Sequence, residues 1–465
     1  MSLKRTFLFI VTIVLLSLLA ACEGGPAVED AGVVGQEQPT AVAEPVASPM
    51  LPPPAVTENG EEDAPEAPTM PVAEEAATSE QASSEQEGIE EASGETTVVE
   101  AEPSRPRPTF PWPADRFGYG VQIHGAATMG DPMATMDAVS DQLGLNWVKI
   151  QIEWHEVYPQ PDESHWYLYD ATVNAARQHG LNLMVSVVGA PAWTRASGTQ
   201  NGPPDDYGDF AAFLDELLTR YDGRIHAVEV WNEANLDREW STTAGISPED
   251  YVRFLALAND TIEAHDPNII VITAGPSPTG SGNWIAWADD YEWLQRALAA
   301  GMTEHADCVG VHHNGYNLPP DVTYDEAHAF AEAATARFRG PYDNPHRSWS
   351  FKTTLDWYAA SVEASDPSLP LCVTEFGWPS GEGLEQVRPG FEYAYDVTLA
   401  EQAEYIVRAF NQMRESGDVW LAFLHNFDFG NRAEPIHETV LYSVIDRQGA
   451  PRPAFYAISQ MEKAP

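Results

Sequence analysis

From Gly118 onward the chain alternates short, nearly continuous apolar runs with longer stretches whose apolar residues recur every three or four positions. The runs fall at 118–123, 147–152, 183–188, 228–231, 269–273, 308–312, 371–375 and 419–424, and several are almost pure Val, Ile and Leu. That pattern predicts parallel strands covered on both faces. Between them, Phe210, Phe213, Leu214, Leu217 and Leu218 share one helical face, as do Tyr251, Phe254, Leu255 and Ala258. Ser247-Pro248-Glu249-Asp250 is a helix start, with a capping serine, a proline in the first turn and acids against the dipole. Eight strands in alternation with helices predict a (β/α)8 TIM barrel. A doubly wound open sheet would want a glycine-rich phosphate loop after its first strand, and none is present.

The crossover over 315–367 is long for one strand-to-strand connection. It reads as two helices, at 324–338 and 353–365, joined by Gly340-Pro341-Tyr342-Asp343-Asn344-Pro345. An extra subdomain on the rim and packing filler are both compatible with it.

The pattern is different before residue 109. Residues 1–22 carry Lys4 and Arg5, an apolar run from Phe7 to Leu16, and Leu19-Ala20-Ala21-Cys22. A basic start, a short apolar stretch and small residues before a cut mark an export signal. The cysteine at the cut resembles a bacterial lipobox, which implies lipidation of Cys22 and attachment to a membrane surface. Residues 23–108 contain no Phe, Trp, Tyr or Cys. Such a segment buries too little apolar surface to offset its ordering entropy, so a disordered Pro/Ala/Glu-rich tether is expected. It holds 20 acidic and 2 basic residues, a net −18; setting this and the signal's +2 against the chain's −47 leaves −31 for residues 109–465. So acidic a domain argues against nucleic acid as a partner and favours a neutral ligand. All 14 tryptophans lie in that domain. Its two cysteines, Cys308 and Cys372, sit inside apolar runs, and two buried thiols are expected ahead of a disulfide.

Strand ends at the C-terminal mouth of a barrel are where chemistry is placed. Two of them deliver glutamates beside aromatics: Trp231-Asn232-Glu233-Ala234-Asn235 and Thr374-Glu375-Phe376-Gly377-Trp378. Two carboxyl groups facing one bond are what glycoside hydrolysis requires. The other strand ends add Gln122 and His124, Trp154 and His155, Trp193, then His312, His313 and Tyr316, and finally His425, Asn426 and Phe427. Aromatic plates with amides and imidazoles suit a sugar's apolar faces and polar edges. His312 and His313 are adjacent on a strand and point to opposite faces, so they do not form one metal site. No metal or cofactor is expected.

With these motifs the sequence from Arg116 to Ile458 resembles glycoside hydrolase clan A, and within it the family 39 and family 5 groups. The resemblance rests on the two glutamate motifs, on Asn146-Trp147-Val148-Lys149 through Trp154, on Tyr221 to Asn235, and on Tyr442-Ser443-Val444-Ile445-Asp446 and Pro451-Arg452-Pro453-Ala454-Phe455-Tyr456. It implies a retaining hydrolase with Glu233 as acid/base and Glu375 as nucleophile. Asn232, His312, Tyr316, Trp154, Trp193, Trp378, His124 and Asn426 are the expected substrate-binding residues. His312 and Tyr316 are expected to hydrogen-bond the nucleophile. Glu233 is expected to stay protonated near neutrality through burial and its neighbouring carboxylate. The sequence departs from the clan in Ala234, where proline is usual, and in the strand-eight end Leu424-His425-Asn426-Phe427-Asp428, where a tryptophan often floors the subsite. The implied protein is an exported, lipid-anchored monomer acting on a neutral β-linked oligo- or polysaccharide. A transglycosylase on the same site and an inactive carbohydrate-binding barrel are the alternatives.

Overall fold

Each apolar run forms a strand within one or two residues of its expected limits: β1 Gly118–Gln122, β2 Trp147–Glu153, β3 Asn182–Val188, β4 Ala227–Val230, β5 Ile270–Thr273, β6 Val309–Asn314, β7 Leu371–Gly377 and β8 Val419–Leu424. All pairings are parallel, in the order β5-β4-β3-β2-β1-β8-β7-β6. The computed structural model describes residues 109–126, 130–327, 347–431, 433 and 437–464. The signal, lipidation site and tether expected before residue 109 lie outside the described residues.

The two outer strands meet through a parallel bridge between Ile272 and Cys308, with Thr273 N donating to Cys308 O at 3.2 Å. Gly310 makes this closure possible, since a Cβ there would lie 1.9 Å from the Thr273 carbonyl oxygen. Each strand is followed by a helix: α1 Pro132–Asp137, α2 Tyr167–Gln178, α3 Tyr207–Arg220, α4 Pro248–His265, α5 Asp290–Ala299, α6 Phe351–Ser365, α7 Leu399–Ser416 and α8 Pro453–Gln460. This is a (β/α)8 barrel. The α4 start is as expected, Ser247 accepting from Asp250 N. Within the long crossover, Tyr324–Ala327 is helical and α6 begins two residues early, capped by Ser350; residues 328–346 lie outside the described residues.

Alternation along the strands sorts side chains between two cores. One lies between the strands and the helices and takes Val148, Ile150, Val185, Val228 and Val373. The other fills the barrel's lower interior with Trp147, Met184, Ala227, Ile272, Trp420 and Phe423. Trp420 is therefore part of the barrel floor and not of the mouth.

Cys308 and Cys372 form a disulfide with their Cα atoms 5.8 Å apart, contrary to the expectation of two thiols. The β6–β7 register, which pairs Gly310 with Cys372, brings both cysteines to the same interior face. That register is invisible when each strand is read by itself. The bond closes a loop of 64 residues, for which constraint of the unfolded chain contributes about 4 kcal/mol. Urea unfolding of the reduced protein is expected to show that loss; coincident oxidised and reduced curves would contradict it.

Candidate active site

Two residues further up each strand, the barrel interior changes from apolar to charged. Trp147, Met184 and Ala227 give way to Lys149, Ser186 and Glu229, all fully buried. Charges with no access to water must be paired. Lys149 Nζ lies 2.9 Å from Glu229 Oε2 and 3.1 Å from Glu375 Oε1, and donates to the Thr374 carbonyl at 3.2 Å. The Ser186 hydroxyl donates to Glu229 as well.

Glu375 would face the outer helices if β7 were regular, because residues two apart share a face and Val373 packs there. The β6–β7 register slips between Val311, which pairs Val373, and His312, which pairs Glu375. One extra residue, Thr374, thus turns Glu375 inward. There Asn314 Nδ2 donates to its Oε2 at 3.2 Å, and His425 Nδ1 lies 3.5 Å from the same oxygen. Gly275 leaves room for the His312 ring, since a Cβ would meet its Cδ2 at 2.4 Å.

Glu233 reaches the same place from the turn after β4. Trp231 and Glu233 have φ values of 76° and 36°, in the left-handed region that bulky residues avoid. Such strain persists where the surroundings over-determine the backbone, and it gathers at functional sites. Here Trp231 Nε1 donates to Glu239 O at 2.7 Å, the Tyr251 hydroxyl donates to Val230 O at 3.0 Å, and Asn235 exchanges two hydrogen bonds with the backbone of Ser277. The clamp by Asn235 supplies stiffness that the missing proline would have given at buried Ala234.

One imidazole joins the two carboxyl groups. His312 Nδ1 lies 3.3 Å from Glu233 Oε1 and 3.9 Å from Glu375 Oε2, and its Nε2 lies 3.3 Å from Glu229 Oε1. Glu233 Oε1 and Glu375 Oε2 are therefore no further apart than the sum of the first two distances, roughly 7 Å. Arg238 Nη2 donates to Glu233 Oε2 at 2.9 Å.

Burial opposes every charge in this cluster, and the pairing overcomes it. Lys149 and Glu229 hold each other charged, the amine above its usual range and Glu229 down to about 2, helped by His312 and Ser186. Lys149, His312 and His425 hold Glu375 well below the usual carboxylate range. Burial would keep His312 neutral, but Glu375, Glu229 and Glu233 push it up to about 9, so it is an imidazolium at neutral pH. Glu233 also lies below its ordinary value, because the His312 hydrogen bond and the Arg238 charge outweigh burial and Glu375. The expectation that Glu233 rests protonated is thus corrected: two cations contact it.

Residues 114–428 match the glycosyl hydrolase family 5 (cellulase) family. The chain belongs to glycosyl hydrolase family 5. Among solved structures it is similar to a family 39 glycoside hydrolase from the gut symbiont Bacteroides cellulosilyticus WH2, at 18% identity and TM-score 0.54, over 75% of this chain and 64% of that one. It is also similar to a GH5_18 enzyme from Streptomyces cattleya solved with GlcNAc, at 16% identity and TM-score 0.51, over 75% and 80% of the two chains. The chain spans just under two thirds of the first of these structures, and at these identities both attest the fold. No curated protein matches the sequence.

Within this family 5 barrel the residues expected around the sugar divide into two groups. Glu233, Glu375, His312 and Asn232 meet at the mouth, where buried Asn232 lies beside Glu239. Trp193 is 42% exposed and stands edge-on to Trp154 on the rim. Other members of the expected set turn away. Trp154 is buried and stacks on Phe213, and buried Trp378 donates to Leu318 O at 2.7 Å against Phe351 and Tyr405. Both strand-end tryptophans pack the scaffold. Tyr316 donates to Pro278 O at 2.9 Å among Trp349 and Tyr393, so the hydrogen-bond donor that β6 offers Glu375 is Asn314, not Tyr316. Asn426 shapes the turn after β8, donating to Thr439 O and accepting from Phe429 N, both at 3.0 Å. His124 takes an edge-on contact with Phe429, while His313 points outward to Ser348 O at 3.0 Å. The position after β8 is filled by His425, flanked by Phe429 and Tyr442. Sequence reasoning missed Lys149, Glu229, Asn314 and Arg238. For the first two a signal existed: a charge inside an apolar strand must have a buried partner.

Proposed function

We propose that the protein hydrolyses a neutral β-linked glycan with retention, Glu375 acting as nucleophile and Glu233 as acid/base. The observation that carries this reading is the convergence of both carboxyl groups on the one imidazole of His312, from different strands. Glu375 is held ionised and aimed by Lys149 and Asn314, as a nucleophile must be. Its carboxylate attacks the anomeric carbon while protonated Glu233 gives its proton to the departing oxygen. Glu233, now a carboxylate, takes a proton from water as that water's oxygen attacks the same carbon and releases Glu375. Buried Asn232 lies beside Glu233 for the 2-hydroxyl, an interaction that tightens in the transition state. Because Glu233 must be protonated for the first step and is held below its usual range, activity is expected on the acid side of neutrality.

The same reading places the domain outside the cytoplasm, lipid-anchored at Cys22, with residues 23–108 as its tether, and acting as a monomer. The disulfide supports it, since such bonds persist in oxidising compartments. The acidic surface supports a neutral substrate.

Assay of the protein against β-xylan, β-glucan, β-mannan and aryl β-glycosides identifies the sugar. The roles are tested on Glu233→Ala with an activated aryl β-glycoside. Its leaving group needs no proton, so a covalent intermediate is expected to accumulate, and azide, which needs no general base, should restore turnover as the β-glycosyl azide. An α-azide product would contradict a double displacement.

A further inference from the structure

Glu233 has a cation on each carboxyl oxygen. His312 is one, buried and tied to Glu229 beneath it. The other, Arg238, is of a different kind: its side chain is 60% exposed and enters from the solvent side. We propose that Arg238 is a positioning residue for the acid/base, clamping the Glu233 carboxylate before substrate binds and releasing it to make room for the leaving-group sugar. The inference rests on the acid/base role of Glu233.

The loop carrying Arg238 is fixed on both sides. Leu236 N donates to Glu233 O at 2.9 Å, Asp237 N to Ala286 O at 2.9 Å and Trp240 N to Leu236 O at 2.7 Å. Leu236 also bridges Trp287, and Trp240 is fully buried. The backbone therefore holds Arg238 in place, while its side chain is exposed to solvent. A second acceptor is already at hand, since Arg238 Nε stands 3.7 Å from Glu239 Oε1. A proton donor to the glycosidic oxygen must have the leaving group against its own oxygen. The guanidinium now holds Glu233 Oε2, the other carboxyl oxygen being turned to the buried imidazole. Arg238 and a sugar in contact with that oxygen exclude one another.

Electrostatics agrees with the geometry. Facing Glu233 are His312 from β6 and Tyr316 beyond it, Glu375 from β7, His425 after β8, and Arg238 and Glu239 from its own loop, with Glu229 and Lys149 reached through His312 and Glu375. Of the cations among these, Arg238 alone is exposed. Withdrawing it leaves Glu233 burial and neighbouring carboxylates against His312, which raises its proton affinity as the leaving group arrives.

The test is a titration of the full chain bearing 13Cδ-labelled glutamate, in wild type, Arg238→Gln and Arg238→Lys, with Glu233→Gln assigning the resonance. Arg238→Gln is expected to raise the Glu233 midpoint by about one pH unit, a tenfold gain in proton affinity, while Arg238→Lys stays near wild type. The high-pH limb of kcat/KM on the preferred glycoside of the panel should move upward by the same amount, since that limb reports the acid in the free enzyme. An unmoved Glu233 midpoint in Arg238→Gln overturns the proposal, as does a fall in kcat/KM equal at every pH. Failure of the acid/base reading itself is seen separately, as retained turnover of unactivated glycosides in Glu233→Gln.

Discussion

Glu375→Ala is expected to abolish turnover on every substrate, by about 10⁵-fold or more in kcat. Among the described residues the carboxylates nearest to it are committed elsewhere. Glu229 is sealed beneath the site by Lys149, Ser186 and His312, and Glu233 is bound by His312 and Arg238. Neither can supply the bond to the anomeric carbon. The fold should survive, because Lys149 keeps Glu229 as its partner when Glu375 is gone. Single-turnover assay and a thermal melt check both halves. Turnover within a hundredfold of wild type would mean that another group is the nucleophile.

Lys149→Met carries the second large effect, on stability and activity together. It leaves Glu229 and Glu375 buried without the cation that each contacts. Breaking a buried pair in this way costs about 3–5 kcal/mol, because the stranded charge remains. Both carboxyl groups sit below their unfolded value, so their pairing stabilises the fold above pH 4.5 and is lost as pH falls toward the folded value, about 2 for Glu229. Without Lys149 that loss, and the acid limb of activity, should begin at higher pH. Adding Glu229→Gln to Lys149→Met should recover part of the stability, since fewer charges are then stranded. Denaturant unfolding at neutral pH measures Lys149→Met, Glu229→Gln and the double variant. Additive losses in the double variant would argue that the pair is not coupled.

The barrel was largely legible because parallel strands covered on both faces are written as continuous apolar runs, and 419–424 was placed to the residue. Glu233 and Glu375 were legible as acids closing such runs. The direction of a side chain at a strand end was not. Trp154 and Trp378 stand where sugar-facing aromatics are expected, yet their rings turn into the helical layer. The bulge that turns Glu375 inward and the register that joins Cys308 to Cys372 both lie between strands, where no single run records them. Glu229 was hidden for the opposite reason. It was read as part of an apolar run, although a buried acid in that setting calls for a cation, and Lys149 supplies it across the barrel.

The central claim is that Glu375 forms the glycosyl bond and Glu233 hydrolyses it. Mass spectrometry of Glu233→Ala, quenched during the burst with an activated aryl β-glycoside and digested with protease, tests it most directly. The account predicts one covalently bound sugar on the peptide containing Thr374-Glu375-Phe376, attached at Glu375. A sugar on any other residue, or a burst with no covalent adduct, would contradict it.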